Sequence, residues 1–333
     1  MKTKLFVTIT VLSSCILALA TTSHAVQVTQ NVYEDAFPHM KGQSLVWQTK
    51  IDGNWEIFVC DITNQEVRQI TNNDYNDISP QTDGDYIVWL AYPNIGGDIF
   101  LYKISSQTTT RITDDGAVDD APKIADGRVV WASHEVTDSV EPGEIFLYDI
   151  QTTHITRLSQ ADTLDDNSPR INSEKVMWVQ TDGNETTRFL YEIGNGLVSE
   201  AADTFVWPDS PTKDGSLIVS TAHDRHDREI FIRNTAQGTR QQLTENAVDD
   251  LSPCVSGTQI AWVSGSDSEA EIVLVRDESE YEDYLADAFT ATETEFEPPP
   301  PEPDDGGNGG GSGGSSGGSS GGSCFVNTLG GKI

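Results

Sequence analysis

A sequence repeat of roughly 42 residues occurs six times along the chain and restricts the possible folds more than any other feature. A proline marks each copy, with spacings of 42, 42, 47, 42 and 42 residues, at Pro38, Pro80, Pro122, Pro169, Pro211 and Pro253. Five copies carry an aspartate three residues before the proline: Asp35, Asp77, Asp119, Asp166 and Asp250. Five copies carry a tryptophan nine residues after it: Trp47, Trp89, Trp131, Trp178 and Trp262. A period of this length predicts similar units that bury their apolar faces against one another.

Each copy has the pattern of short β-strands. Residues 86–90 and 98–102 are rich in β-branched and aromatic side chains and are bounded by Gly, Asp and Asn. Residues 109–113 alternate polar and apolar side chains, which is typical of a half-exposed outer strand. With a further short strand before a recurring glycine, each copy supplies four strands, the content of one β-propeller blade.

The two ends of the repeat region predict a closed ring. The sixth copy lacks a fourth strand, whereas residues 26–30 have the pattern of one. Thr29 stands nine residues before Pro38, as Thr71 stands nine before Pro80. The N-terminal segment would therefore supply the outer strand of the last blade and remove an exposed edge. The sequence predicts an all-β fold, a six-bladed β-propeller over residues 26–277, closed by its N-terminal strand.

The copy that matches the repeat pattern most completely resembles a known family of repeats. Asp77-Ile78-Ser79-Pro80 through Arg111-Ile112-Thr113 resembles the TolB-like, WD40-like propeller repeat, and the resemblance extends over residues 26–277. It implies the propeller fold. TolB itself carries an α/β domain before its propeller, whereas here the first strand follows the N-terminal leader directly, so the resemblance does not carry the role of TolB.

The N-terminus has the pattern of an export signal. Lys2 and Lys4 precede an apolar run over residues 5–20, and small residues lead to Ala25, which predicts a signal peptide over 1–25. Residues 12–15 resemble a lipoprotein motif, but the apolar run continues after Cys15, which favours cleavage after Ala25. We expect no transmembrane span, because no second apolar stretch is long enough. The predicted location is the periplasm, the cell surface or the medium.

The C-terminal region predicts a disordered tail in three parts. Residues 278–305 form an acidic, proline-rich linker, and residues 306–323 form a Gly/Ser linker. Residues 324–333 begin with Cys-Phe-Val and resemble the CFI-box segment of exported bacterial proteins. One hypothesis is that Cys324 tethers or sorts the protein, and the alternative is an incidental thiol.

Charge and cysteine content exclude some classes of function. The formal net charge is −33, which repels nucleic acid and attracts cations or basic partners. We therefore expect no nucleic-acid binding. Cys60 and Cys254 fall on different kinds of predicted strand, so we expect two buried, unpaired thiols.

The repeated aspartates are the first candidate site. They precede the predicted innermost strands, so Asp35, Asp77, Asp119, Asp166 and Asp250 could ring one mouth of the channel. Clustered carboxylates suit Ca²⁺, and calcium is the one cofactor that we consider. The alternative interpretation is that each aspartate caps its own turn through backbone N–H groups.

A second candidate is a local cluster of metal-ligating residue types. His223, His226 and Asp227 have the spacing of a possible metal site, although a polar hairpin tip explains them equally.

Two classes of function remain open. The first is an exported, non-catalytic, monomeric scaffold that binds a protein or peptide at a propeller face. The alternative is a propeller enzyme acting on polysaccharide, a lyase or a glycosidase, because fold alone does not decide function. Neither a catalytic residue nor a named partner follows from the sequence.

Overall fold

The computed structural model describes residues 25–276, apart from 94–95, 137–140, 161, 184, 203–212 and 224–225. Within these residues the chain forms β-strands and one short 3-10 turn at Asp267–Glu269, and no α-helix. The strands form six antiparallel sheets of four strands each. The all-β class predicted from the repeat is confirmed.

The first half of the chain forms the first three sheets, after an N-terminal strand β1 (Val26–Gln27). Sheet 1 contains β2 (Glu34–Lys41), β3 (Ser44–Ile51), β4 (Asn54–Asp61) and β5 (Glu66–Gln69). Sheet 2 contains β6 (Asp77–Thr82), β7 (Tyr86–Ala91), β8 (Asp98–Lys103) and β9 (Thr108–Arg111). Sheet 3 contains β10 (Val118–Ala125), β11 (Arg128–His134), β12 (Glu144–Asp149) and β13 (His154–Arg157).

The second half forms the other three sheets. Sheet 4 contains β14 (Asp165–Ile171), β15 (Lys175–Asp182), β16 (Glu185–Glu192) and β17 (Leu197–Glu200). Sheet 5 contains β18 (Lys213–Asp214), β19 (Leu217–His223), β20 (Arg228–Asn234) and β21 (Thr239–Gln242). Sheet 6 contains β22 (Asp250–Ser256), β23 (Gln259–Ser264), β24 (Glu271–Val275) and, at its outer edge, β1.

The recurring proline follows a bulge in the first strand of five sheets. The residue before it has a positive φ between 50° and 55°, and the register with the second strand shifts there. These residues are Phe37, Ser79, Ala121, Ser168 and Ser252. A bulge leaves a residue outside the ladder, and proline has no N–H to leave unpaired. The proline therefore marks a bend in the first strand, which the sequence pattern alone did not reveal.

The N-terminal strand completes the last sheet. Val26 lies opposite Leu274 and Gln27 opposite Val273, in antiparallel register. The N–H of Val28 donates to the carbonyl of Ile272 at 2.7 Å, which extends the pairing beyond β1. The predicted pairing of the N-terminal segment with the last copy is confirmed.

Neighbouring sheets bury apolar side chains between them. Sheet 1 packs against sheets 2 and 6, sheet 3 against sheets 2 and 4, and sheet 5 against sheet 6. The core between sheets 1 and 6 includes Trp47, Cys60, Cys254 and Ile272. Both cysteines are buried and form no disulfide with each other, as expected. Residues 203–212, between sheets 4 and 5, lie outside the described part of the chain, and the closed ring stays a prediction.

Removing residues 1–31 should destabilise the fold strongly in comparison with removing residues 1–25. The longer deletion eliminates several hydrogen bonds to β24, each worth about 1 kcal/mol, and the packing of Val28. We expect the melting temperature to fall by roughly 10 °C, measured by circular dichroism. Equal melting temperatures for the two truncated proteins would show that the N-terminal strand contributes nothing to stability.

Candidate functional site

The five repeated aspartates are buried inside the fold. Each carboxylate is at most 1% exposed, and each lies on or at the start of the first strand of its own sheet. In the part of the chain that the structure describes, no three His, Cys, Asp or Glu side chains are grouped to hold a metal ion. The aspartates are therefore not brought together as a solvent-facing ring. Calcium binding by this protein stays a prediction.

Buried tryptophans are hydrogen-bonded to these aspartates. The indole N–H of Trp89 donates to Asp77 at 2.7 Å, and Trp178 and Trp262 donate to their aspartates at 2.9 and 3.1 Å. In sheet 1 a hydroxyl relays the contact. Trp47 donates to Thr49 at 3.0 Å, and Thr49 donates to Asp35 at 2.5 Å. The donors are thus side chains, rather than the backbone N–H groups that the turn-capping interpretation predicted.

An asparagine connects the aspartate to the preceding sheet. Asn73 donates its side-chain amide to Asp77 at 2.6 Å, and its backbone N–H donates to Glu56 of sheet 1 at 3.0 Å. Asn246 makes the same two contacts between sheets 5 and 6, and Asn31 makes them between sheets 6 and 1. We call this chain of glutamate, asparagine, aspartate and tryptophan the junction network, because it joins one sheet to the next.

A hydroxyl residue contributes to five of the junctions. The oxygen of Thr71 accepts the N–H of Ile57 at 2.8 Å, and the same bond occurs in four other sheets. The other acceptors are Thr29, Thr113, Ser159 and Thr244. This bond explains the threonine that recurs nine residues before the prolines, including Thr29 at the N-terminus.

The junction between sheets 2 and 3 departs from this pattern. Asp115 stands where three junctions have Asn31, Asn73 and Asn246, as Asp162 does between sheets 3 and 4. The structure also gives Trp131 no hydrogen bond to Asp119, unlike the tryptophans of sheets 2, 4 and 6. Neither carboxylate oxygen of Asp119 has a partner of ordinary hydrogen-bond geometry among the described residues. Burial raises the pKa of Asp119, and the nearby hydroxyls of Thr113 and Ser133 partly offset the rise.

Burial also favours the neutral form of other junction carboxyl groups. It raises the pKa of Asp77 and of Asp166 to about 6, although hydrogen bonds from their tryptophans oppose the rise. Burial raises the pKa of Glu229 to about 7, and the charges of Asp250 and Asp227 add to the effect. Perturbed carboxyl groups mark many active sites, but these lie beneath the surface and bind their own sheets together.

The described residues of the histidine cluster are not grouped as metal ligands, and the metal site stays a prediction. His223 and His226 are exposed, and Asp227 is half-buried. Residues 224–225 lie outside the described part of the chain. Cys324 and the predicted signal peptide also lie outside it, apart from Ala25.

An acidic cavity lies between sheets 5 and 6. It has a volume of about 500 Å³, and four carboxylates line it: Asp227, Asp249, Glu269 and Glu271. No basic residue is found among its described lining residues. Asp249 accepts the backbone N–H of Arg228 at 2.9 Å, and Glu271 accepts that of Asn31 at 2.9 Å, so two of the carboxylates are fixed in place. The arrangement can attract and hold a cationic group.

Sequence analysis did not find this cavity. Asp227 entered as a metal candidate, but it was not connected with Asp249, Glu269 or Glu271. One sequence feature could have pointed to the cavity. Val273 stands where four other sheets have the phenylalanine that stacks on their tryptophan.

Comparison with known proteins identifies the fold. No protein-family model matches the chain, and no curated protein matches it in sequence. The β-propeller domain of the trilobed protease from Pyrococcus furiosus is 10% identical, covers 74% of this chain and 97% of that chain, and has a TM-score of 0.50. The fold is that of a β-propeller.

Two further structures are similar to this propeller. An oligogalacturonate lyase from Vibrio parahaemolyticus is 13% identical, covers 77% of this chain and 94% of that chain, and has a TM-score of 0.51. TolB from Acinetobacter baumannii is 16% identical with a TM-score of 0.39, and the match covers 67% of this chain. It spans 60% of that TolB chain, less than two thirds. At these identities the likeness concerns the fold alone.

No helix among the described residues is both long and apolar enough to cross a membrane.

Replacing Asp77 by Asn should destabilise the propeller, whereas the same change at Asp119 should not. Asp77→Asn puts a second donor beside Asn73 and Trp89, so a buried N–H loses its acceptor at a cost of about 1–3 kcal/mol. Asp119→Asn removes a buried charge whose oxygens have no partner, so it should be neutral or stabilising. Urea unfolding of both variants measures the difference. Equal losses at the two positions would contradict the junction network.

Proposed function

We propose that the protein is an exported β-propeller that binds a basic segment of a protein or peptide partner in the periplasm or cell envelope, without catalysing a reaction. The observation that carries the proposal is the acidic cavity between sheets 5 and 6. Cavities of a few hundred Å³ with convergent polar groups are the usual form of a binding site.

The electrostatics of the whole chain support a basic partner. A formal net charge of −33 produces a long-range attraction for cations, and four carboxylates line the wall of one cavity. Complementary charge accelerates encounter and excludes acidic partners such as nucleic acid. The propeller would therefore select its partner first by charge and then by the shape of the cavity.

The six sheets would act as the six blades of a closed ring. The pairing of β1 with β24 and the packing of sheet 6 against sheet 1 support closure by the N-terminal strand. A closed ring has no open sheet edge at its ends, which would allow a monomer to expose the cavity without associating with itself.

Export and attachment follow from segments outside the described residues. A signal peptide over 1–25 would direct the chain out of the cytoplasm, and the linkers over 278–323 would separate the propeller from Cys324. If Cys324 is a tether, the propeller would face its partner at the cell surface from a flexible attachment.

The enzyme alternative rests on fold alone. The likeness to an oligogalacturonate lyase concerns the fold, and the same fold serves unrelated functions. Three carboxyl groups have strongly raised pKa values, and their contacts are structural. Asp77 and Glu229 are engaged in junctions between sheets, and Asp166 accepts the indole N–H of Trp178 within its own sheet.

Capture of a partner from native envelope extract tests the proposal. With the full-length chain as bait, we expect one stoichiometric basic protein, released when salt is raised from about 0.05 to 0.5 M. The variant Asp249→Asn/Glu269→Gln should retain much less of it. The matched control Asp52→Asn/Glu66→Gln neutralises two exposed acids on sheet 1 and should capture it as the native chain does.

Three results would contradict the proposal. They are an acidic partner, equal capture by the cavity variant and the native chain, and an extract in which the chain captures no protein. Cleavage of a polysaccharide by the purified chain would establish the enzyme alternative instead.

A further inference from the structure

Two sheets of the propeller show how an arginine completes the outer part of a blade. In sheet 2, Arg111 on the outer strand lies opposite Phe100, with its guanidinium carbon 5.9 Å from the ring centroid. The same guanidinium contacts Asp98 at 2.6 Å. In sheet 3, Arg157 lies opposite Phe146 and is paired with Glu144. The acid, the aromatic ring and the arginine thus form one unit.

Sheet 6 keeps the acid of this unit but has neither the ring nor the arginine. Glu271 corresponds to Asp98 and Glu144, each two residues before the phenylalanine position. That position is Val273, and the outer-strand residue opposite it is Gln27. One oxygen of Glu271 accepts the N–H of Asn31, while the other is buried and has no hydrogen-bond partner among the described residues.

The cavity lies where the two side chains are missing. Gln27, Val273 and Glu271 all line it. A smaller cavity, of about 250 Å³, lies beside sheet 3 and has Phe146 in its wall. Gln27 is exposed, so the cavity is reached from the outer side of the blade.

We propose that this cavity binds an arginine side chain of the partner, which takes the place that Arg111 and Arg157 occupy in their own sheets. The proposal rests on the proposed function and names the chemistry of its partner. Glu271 would receive the guanidinium on its free oxygen, and Asp249, Glu269 and Asp227 would surround it with negative charge. Val273 would contact the aliphatic stem.

Arginine suits this site better than a metal ion or a lysine. The described residues do not group three metal ligands here, and the sheets themselves use a guanidinium on the corresponding acids. A planar guanidinium offers several donors to separate carboxylates, whereas an ammonium is a compact point charge.

Binding of a blocked peptide to the purified full-length chain tests the proposal. The probe is a glycine peptide that contains one arginine, compared by calorimetry with the same peptide containing citrulline, which has the same shape without the charge. We expect the arginine peptide to bind about tenfold more tightly, the ratio for loss of one charged hydrogen bond. Equal binding of the two peptides would overturn the proposal.

Two variants locate the site. Gln27→Arg/Val273→Phe gives sheet 6 the pair found in sheet 3, so it should bind the arginine peptide about tenfold more weakly while the fold is kept or stabilised. The control Gln69→Arg adds the same charge in sheet 1, where Phe58 already stacks on Trp47. It should bind as the native chain does. Equal losses in both would show a general effect of charge and overturn the site.

A third variant tests the site if the double variant does not fold. Glu271→Gln keeps the oxygen that accepts the N–H of Asn31 and removes the charge, so it should weaken the arginine peptide by about tenfold. Unchanged binding of the arginine peptide would overturn the proposal. It would also be overturned if the two peptides bound equally while calcium bound to the native chain and bound more weakly to Glu271→Gln.

Partner capture separates this inference from the proposed function. If the native chain and Gln27→Arg/Val273→Phe capture the same basic partner equally, the propeller is a scaffold but the arginine site is wrong. If neither captures a protein, the proposed function itself fails. Capture by the native chain alone supports both.

Discussion

The hydrogen bonds between buried tryptophans and aspartates at the sheet junctions are the interaction on which the rest of this propeller depends. Backbone hydrogen bonds hold strands together within a sheet. Successive sheets meet through packed side chains and side-chain hydrogen bonds, with single backbone bonds such as that from Asp166 to the carbonyl of Gly143. Each tryptophan brings a large apolar surface to that contact and also an N–H that must find an acceptor when buried. The aspartate supplies it in sheets 2, 4 and 6, and in sheet 1 the hydroxyl of Thr49 lies between the two. Asn73, which bonds the aspartate of sheet 2, reaches back to the preceding sheet. The junction is thereby fixed in orientation as well as packed.

The same chemistry ties the two ends of the chain together. Thr29 and Asn31 belong to the N-terminal segment, yet they serve the junction between the last sheet and the first, as Thr71 and Asn73 serve the next one. A segment with only two residues in a regular strand therefore holds its place through side-chain contacts as much as through the ladder. The repeated contacts between sheets stabilise the fold, and positions that depart from the repeat can serve another function. The cavity in sheet 6 is such a position.

Much of the fold could be predicted because it repeats. The spacing of Pro38 to Pro253, the strand patterns and the matching position of Thr29 led to the four-stranded units and to the pairing of the N-terminal segment with β24. The bulge before five of the prolines was not predictable, because a positive φ at Phe37 or Ser79 does not alter the hydrophobic periodicity. The sequence did not reveal that the aspartates accept hydrogen bonds from buried tryptophans. A recurring acid before a strand is equally compatible with a channel mouth, a turn cap or a buried acceptor. The sequence alone did not show that Gln27 and Val273 lie opposite each other, because that pairing depends on the register between β1 and β24.

Exchange of the indole N–H protons with solvent, followed by NMR on protein labelled with ¹⁵N-tryptophan, tests the junction network most directly. All five recurring tryptophans are at most 2% exposed, so burial alone predicts similar protection for them. The network predicts instead that Trp89, Trp178 and Trp262, which donate to aspartates, exchange slowly, and that Trp131 exchanges fastest of the five. Protection of Trp131 equal to that of Trp89 would contradict the account.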